Sequence, residues 1–110
     1  MKRRTGNKYG AIATYVDGIR FDSKKEARRY GQLKLMERAG IITDLELQPR
    51  YKIVVKNSPI CTYVADFRYY DKQRLTQVIE DVKSTATATP VYKIKKKLTE
   101  ALYDITVTEI

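Results

Sequence analysis

Asp66 sits inside the aromatic and β-branched run 63–70, and Glu80, Asp81 and Lys83 interrupt a second strand-prone run, 75–83. Acidic residues are depleted in strands and cost free energy when buried unpaired, so their presence in both runs demands a use. The polar turn 71–74 is short enough for the two runs to pair as a hairpin, which carries Asp66 and Asp81 onto neighbouring strands. Side chains alternate along a strand, so Asp81 and Lys83 share one face and Val82 takes the other. Two carboxylates and a lysine so placed suit metal-assisted hydrolysis of a phosphodiester. Mg²⁺ or Mn²⁺ takes hard oxygen ligands, usually one or two carboxylates with water and phosphate oxygens. Asp66 and Asp81 are the expected ligands, the Val82 carbonyl adds a third oxygen, and Lys83 stands beside the attacking water. By the same alternation Glu80 points away from Asp81, among Val78 and Val82, with Arg68 as an expected ion-pair partner. A β-bulge would make Glu80 the ligand instead, but only Asp81 shares a face with Lys83.

The elements that must position these residues follow from local signals. Residues 9–16 and 19–21 flank Asp17-Gly18, a short hairpin-turn dipeptide. The bland role for this hairpin is a lid on the core. Ser23-Lys24-Lys25-Glu26 is a capping box that opens a helix running to about Ala39, with Gly40 as its stop. Glu26 thus has a sufficient structural use, although it also lies one turn before Tyr30 and so is able to face inward. Lys34 falls among the apolar positions of that helix. Residues 41–47 and 51–56 read as strand segments interrupted at Pro49, with Gln48 and Arg50 as ordinary loop polarity, and 57–59 as the next turn. Ser84 opens a Ser/Thr/Ala loop, and Thr89-Pro90 is an N-cap followed by proline in the first helical turn. Val91, Ile94, Leu98, Ala101 and Leu102 form a helical stripe expected in the core, and residues 103–110 a closing strand. The expected order is ββ-α-β-β-β-α-β, an α/β (α+β) arrangement with a mixed sheet flanked by two helices.

At 110 residues the chain supports one modest core, with residues 1–8 as a basic flexible tail and 9–110 as a single domain. No apolar run approaches the ~20 residues that span a bilayer, and no apolar stretch follows the basic N-terminus. The lone Cys61 and the absence of histidine exclude an internal disulfide, a cysteine-based zinc site and histidine-dependent catalysis, and they suit a cytoplasmic setting. Lys and Arg number 22 against 13 Asp and Glu, a net charge of +9 that favours a polyanionic partner. The excess clusters toward the N-terminus. Arg3, Arg4, Lys24, Lys25 and Arg28 there, with Lys93, Lys96 and Lys97 on the second helix, are the expected contacts to a DNA phosphate backbone, with little sequence readout. The bland alternative for such charge runs is a solvated face.

The Asp66…Asp81-Val82-Lys83 series at the end of a hairpin resembles the D…(D/E)-x-K signature of the PD-(D/E)XK nuclease superfamily. The ordered blocks VDGIRFDSKKEARRY, LELQPRY, TYVADFRYYD, IEDVKS and TPVYKIKKKLTEALY resemble one small phage-encoded family of that superfamily, over residues 8–110. Ala65 stands where the superfamily motif has proline. The resemblance implies a restriction-endonuclease-like α-β-β-β-α-β core and an Mg²⁺- or Mn²⁺-dependent DNA endonuclease acting in phage recombination, replication or processing, branched DNA included, in the host cytoplasm. It also implies that Glu26 contributes a carboxylate from the first helix. The alternative class is a non-catalytic DNA-binding or recombination accessory protein, which explains the charge but gives the carboxylates no task. A Holliday-junction substrate would require a two-fold homodimer, and the sequence shows neither a dimer interface nor base-reading residues.

Overall fold

Asp17 and Gly18 both adopt positive φ, as a two-residue turn matched to strand twist requires, and they join β1 (Thr14–Val16) to β2 (Ile19–Phe21). The computed structural model describes residues 13–83 and 88–110. The tail 1–8, residues 9–12 of the first expected strand and most of the loop after Lys83 lie outside the described residues. The Ser23 hydroxyl accepts the Glu26 amide N–H and starts α1 (Lys24–Arg38), which closes through Ala39 and the left-handed Gly40. Beyond it run β3 (Ile42–Leu47), β4 (Arg50–Val55), β5 (Ser58–Val64), β6 (Phe67–Asp71), β7 (Thr76–Asp81), α2 (Pro90–Tyr103) and β8 (Val107–Glu109). Thr89 caps α2 by accepting the Tyr92 N–H, with Pro90 in the first turn.

β3, β6, β7 and β8 form one mixed sheet in that order, antiparallel except for the parallel β7–β8 pair. β4 and β5 form a separate antiparallel ribbon. Among the described residues the fold is therefore a mixed α+β arrangement with two helices. The strand expected over 63–70 is split. β5 and β6 are separated by Ala65 and Asp66, as β3 and β4 are by Gln48 and Pro49. Pairing persists through this bend, because Gln48 N–H donates to Asp66 O (2.9 Å) and Ala65 N–H to Pro49 O (3.1 Å). Gln48 takes positive φ there, and Pro49 cannot donate, so the ribbon leaves the sheet plane. A proline in place of Ala65 would lose the second of these bonds. The turn expected at 57–59 lies one step earlier, at Lys56 and Asn57. Both have positive φ, which leaves Pro59 in edge strand β5 beside a register shift.

α1 packs on one face of the sheet, and α2 packs on the β4–β5 ribbon, which shares a core with the other face. Central strand β7 alternates between the two faces, with Val78 and Glu80 toward α1 and Ile79 and Asp81 toward α2. On the α1 side Phe21, Ala27, Tyr30, Leu33, Ile42, Phe67 and Tyr69 are buried, and Val16, Ile19 and Val82 pack against them. The β1–β2 hairpin is thus a lid, fastened by Phe21 against Tyr30 (centroids 5.0 Å apart) and by the Tyr30 hydroxyl on Asp17 (3.1 Å). Lys34 finds Glu37 one turn on at 2.9 Å, which accounts for its place among apolar neighbours.

On the α2 side the expected stripe is not the core. α2 seats through Tyr92 and Thr99, with Leu98 half-buried, whereas Val91, Ile94, Ala101 and Leu102 are exposed. The surface offered to it explains the rotation. Tyr51, Tyr63 and the sheet present an aromatic, partly polar layer, and tyrosines on α2 match it with ring contacts and hydroxyl bonds that leucines cannot make.

Candidate active site

Asp66 stands at the fork where the β4–β5 ribbon parts from the main sheet. Its amide N–H donates both to Glu80 O on β7 (3.0 Å) and to the Asp81 carboxylate Oδ1 (3.1 Å). Its own Oδ2 accepts the Val82 N–H at 2.7 Å. The fork therefore locks Asp66 and Asp81 against each other through backbone, and Val82 takes part by its amide while its side chain packs on the α1 side. Asp81 is fully buried, and its second oxygen accepts the Tyr63 hydroxyl.

Glu26 arrives from the first turn of α1. Its carboxyl shares a hydrogen bond with Asp66 and also meets the Asp22 backbone, so it is turned to the sheet fork rather than to the Ser23 backbone. Glu26, Asp66, Gln48 and Leu47 line a cavity of about 140 Å³ walled by Ile19, Arg20 and Phe21 of β2. The lid hairpin thus supplies one side of the site. A larger hollow, of about 420 Å³, lies by Arg74, Gln77, Asp104 and Thr108 and is lined by none of Glu26, Asp66 and Asp81.

The electrostatics follow from burial. Desolvation, reinforced by the Asp66 charge and the shared hydrogen bond, pushes the Glu26 carboxyl up to about 7. Burial also raises Asp66, opposed by the Val82 N–H, the Lys83 charge and Glu26. Burial lifts Asp81 to about 6, with Lys83 and the Asp66 N–H pulling it back. The Lys83 ammonium stacks 4.3 Å from the Tyr92 ring centroid, and the Tyr92 hydroxyl donates to Glu109 (2.8 Å). Lys25 Nζ donates to the Lys83 carbonyl at 2.9 Å and ties α1 to the strand that carries the lysine.

Glu80 lies on the other face. Its oxygens accept Arg29 Nε at 2.8 Å, Arg29 Nη2 at 2.5 Å and the Tyr69 hydroxyl at 2.5 Å. The expected pairing with Arg68 is replaced. Arg68 sits opposite Ile79, on the α2 side, and binds Glu46 through two nitrogens (2.8 and 2.7 Å) and the Tyr51 hydroxyl (2.9 Å). Both Glu80 oxygens are engaged by this α1-side cluster, which leaves Asp81 as the β7 carboxylate beside Asp66.

Among the described residues, no group of three or more His, Cys, Asp or Glu stands open as a ready cation site, because Asp81 faces Tyr63 and the Asp66 amide. The donor set nevertheless fits a hard divalent ion. It is all oxygen, and Glu26 and Asp66, both raised by burial beside one cavity, are carboxylates whose charge such an ion would offset. Of the expected phosphate contacts, Lys24 and Arg28 are exposed on α1, and Lys25 is held by the Lys83 carbonyl. Lys93 and Lys97 are exposed on α2, with Lys96 paired to Glu109 at 3.3 Å. Arg3 and Arg4 lie outside the described residues. Sequence reasoning did not single out Tyr63, Tyr92 or Arg29, and Gln48, read as loop polarity beside the bend, lines the cavity with Asp66 and Glu26. The inward alternation of Cys61, Tyr63 and Ala65 was the available signal for Tyr63.

The class so defined is a mixed-sheet α+β domain with acidic side chains gathered at a strand fork. Residues 6–109 match the family described as "Protein of unknown function (DUF1064)", and the chain belongs to that family. Searches of curated proteins and of solved structures give no match. No helix among the described residues is long and apolar enough to cross a membrane.

Proposed function

We propose that the chain is a metal-dependent DNA endonuclease with a restriction-endonuclease-like core of the PD-(D/E)XK type. The observation that carries this reading is the fork at Asp66. It joins Asp66 to Asp81 through backbone hydrogen bonds and sets Asp66 with Glu26 on one cavity, with the Lys83 charge acting on both aspartates. Mg²⁺ or Mn²⁺, held by Asp66 and Asp81 with Glu26 and the Val82 carbonyl, would supply Lewis-acid activation of water and neutralise phosphate charge. Lys83 is positioned by Tyr92 to orient that water and to offset charge as it builds on the attacked phosphate. Glu26, raised to about 7, exchanges its proton at neutral pH and so suits proton transfer at the cavity. Tyr63 holds Asp81 in its resting orientation. Exposed Lys24 and Arg28, with Lys93 and Lys97, contact the phosphate backbone without reading bases.

The test is incubation of supercoiled plasmid and of linear, nicked and four-way DNA with Mg²⁺ or Mn²⁺, with and without EDTA. The expected result is metal-dependent nicking that is lost in Asp66→Asn, Asp81→Asn and Lys83→Ala while folding and DNA binding persist. Salt-sensitive DNA binding without metal-dependent cleavage would instead identify an accessory protein of the same fold.

A further inference from the structure

We infer that the β4–β5 ribbon is a groove-reading arm for duplex DNA, an inference that rests on the nucleic-acid part of the reading above and adds to it where bases are read. Strand alternation sets the ribbon's two faces. Tyr51, Ile53 and Tyr63 point to α2 and are buried, so Arg50, Lys52, Val54, Ile60, Thr62 and Val64 take the other face. That face is open, with Val54 42% and Ile60 58% exposed. Its first rung, Arg50 opposite Val64, lies two residues from Gln48 and from Asp66, which line the cavity. The two backbone bonds across the bend fix the ribbon to the fork there. A duplex with a phosphate at the cavity is therefore within reach of this face.

Charge decides what covers it. Residues 48–65 hold three basic side chains and no acidic one. Arg50, Lys52 and, at the tip, Lys56 are exposed, and among the described residues none of them is ion-paired. A second copy of this face would set cations against cations, so the face repels itself and fits a polyanion. Shape then favours a duplex over single strands. Single strands stack their bases on exposed aromatic rings, and the ribbon turns Tyr51 and Tyr63 inward. What it offers outward is aliphatic groups between cations, which match thymine methyls and guanine edges on the floor of the major groove. Two strands ~4.8 Å apart enter a groove ~12 Å wide, whereas the ~6 Å minor groove is too narrow unless the duplex is deformed. Six residues at ~3.3 Å each make the arm about 20 Å long, the length of about five base pairs.

Selection by the full chain from a pool of randomised duplexes in EDTA reads this with no strand cut. Fluorescence anisotropy then compares the enriched duplex, a scrambled duplex and a single strand. The wild type should enrich a motif of about five base pairs and bind it about tenfold or more tighter than the other two. Ile60→Ser, neutral and at an exposed position, should lose most of that preference with the salt dependence unchanged. Arg50→Ala/Lys52→Ala should weaken binding of the enriched duplex about tenfold, with the circular dichroism spectrum of the wild type. Lys24→Ala/Arg28→Ala should instead weaken every duplex alike and keep the preference. Duplex binding without sequence preference, a preference intact in both ribbon variants, or single strands bound as tightly as the enriched duplex would overturn the arm and leave the nuclease reading standing. A wild type with no DNA affinity would overturn both.

Discussion

Replacing Glu26 by glutamine separates the cost of the carboxylate cluster from the stability of the helix that carries it. Glutamine retains the backbone N–H that Ser23 caps and can still donate to Asp66, but it has no charge to desolvate. In the wild type the folded-state value is about 7 against 4.5 for the free group. A carboxyl raised on folding contributes its stability below the unfolded value, and that contribution is lost as pH climbs through the folded value. At about 1.36 kcal/mol per unit the ceiling is roughly 3 kcal/mol, and solvent screening of this half-buried group brings the expectation to about 2 kcal/mol. Glu26→Gln should therefore melt about 8 °C above wild type at pH 8, with the gain fading between pH 7 and 4.5 and absent below. Thermal unfolding across that range, followed by far-UV circular dichroism, measures it. A gain independent of pH, or a loss at pH 8, would refute the claim that Glu26 is buried against a like charge.

The buried Glu80–Arg29–Tyr69 cluster predicts a different outcome on the opposite face. Arg29→Met should cost about 3–5 kcal/mol in urea melts by stranding Glu80, and adding Glu80→Met should recover much of that loss. Ions and protons compete at the fork, so Mg²⁺ should raise the wild-type melting temperature more at pH 8 than at pH 6, and in Asp66→Asn the pH dependence of that increment should vanish. Lys24→Ala/Arg28→Ala should flatten the dependence of log DNA affinity on log salt by about 2, read by fluorescence anisotropy, with the melting temperature nearly unchanged.

The parts of this fold that were legible in the sequence are those fixed by local chemistry. Asp17-Gly18, the Ser23 cap, Gly40 and Thr89-Pro90 each specify backbone geometry within a few residues, and each lies where its signal placed it. On the sequence alone, the alternation of β7 likewise separates Glu80 from Asp81. Long-range matters were not legible. The apolar periodicity of residues 63–70 runs on unbroken through Ala65 and Asp66, so it hides the bend that the Pro49 strand opposite imposes. Arg68 and Arg29 are equally good partners for Glu80 by type, and only the sheet register decides between them. The α2 stripe misled for a related reason. Periodicity locates an apolar face, but what lies under a helix depends on the layer it meets, here tyrosines with hydroxyls to satisfy. Glu26 was poised between a capping role and a place in the site, and the structure turns its carboxyl to Asp66 while Ser23 keeps the helix cap.

The measurement that bears most directly on the cation-holding fork is anomalous diffraction from crystals soaked in Mn²⁺. The account predicts one dominant peak between the Asp66 and Glu26 carboxylates, with Asp81 swung off the Tyr63 hydroxyl toward it, and no such peak in Asp66→Asn crystals. A peak centred on Glu80, or a fork that stays hydrogen-bonded as it is at saturating Mn²⁺, would contradict it.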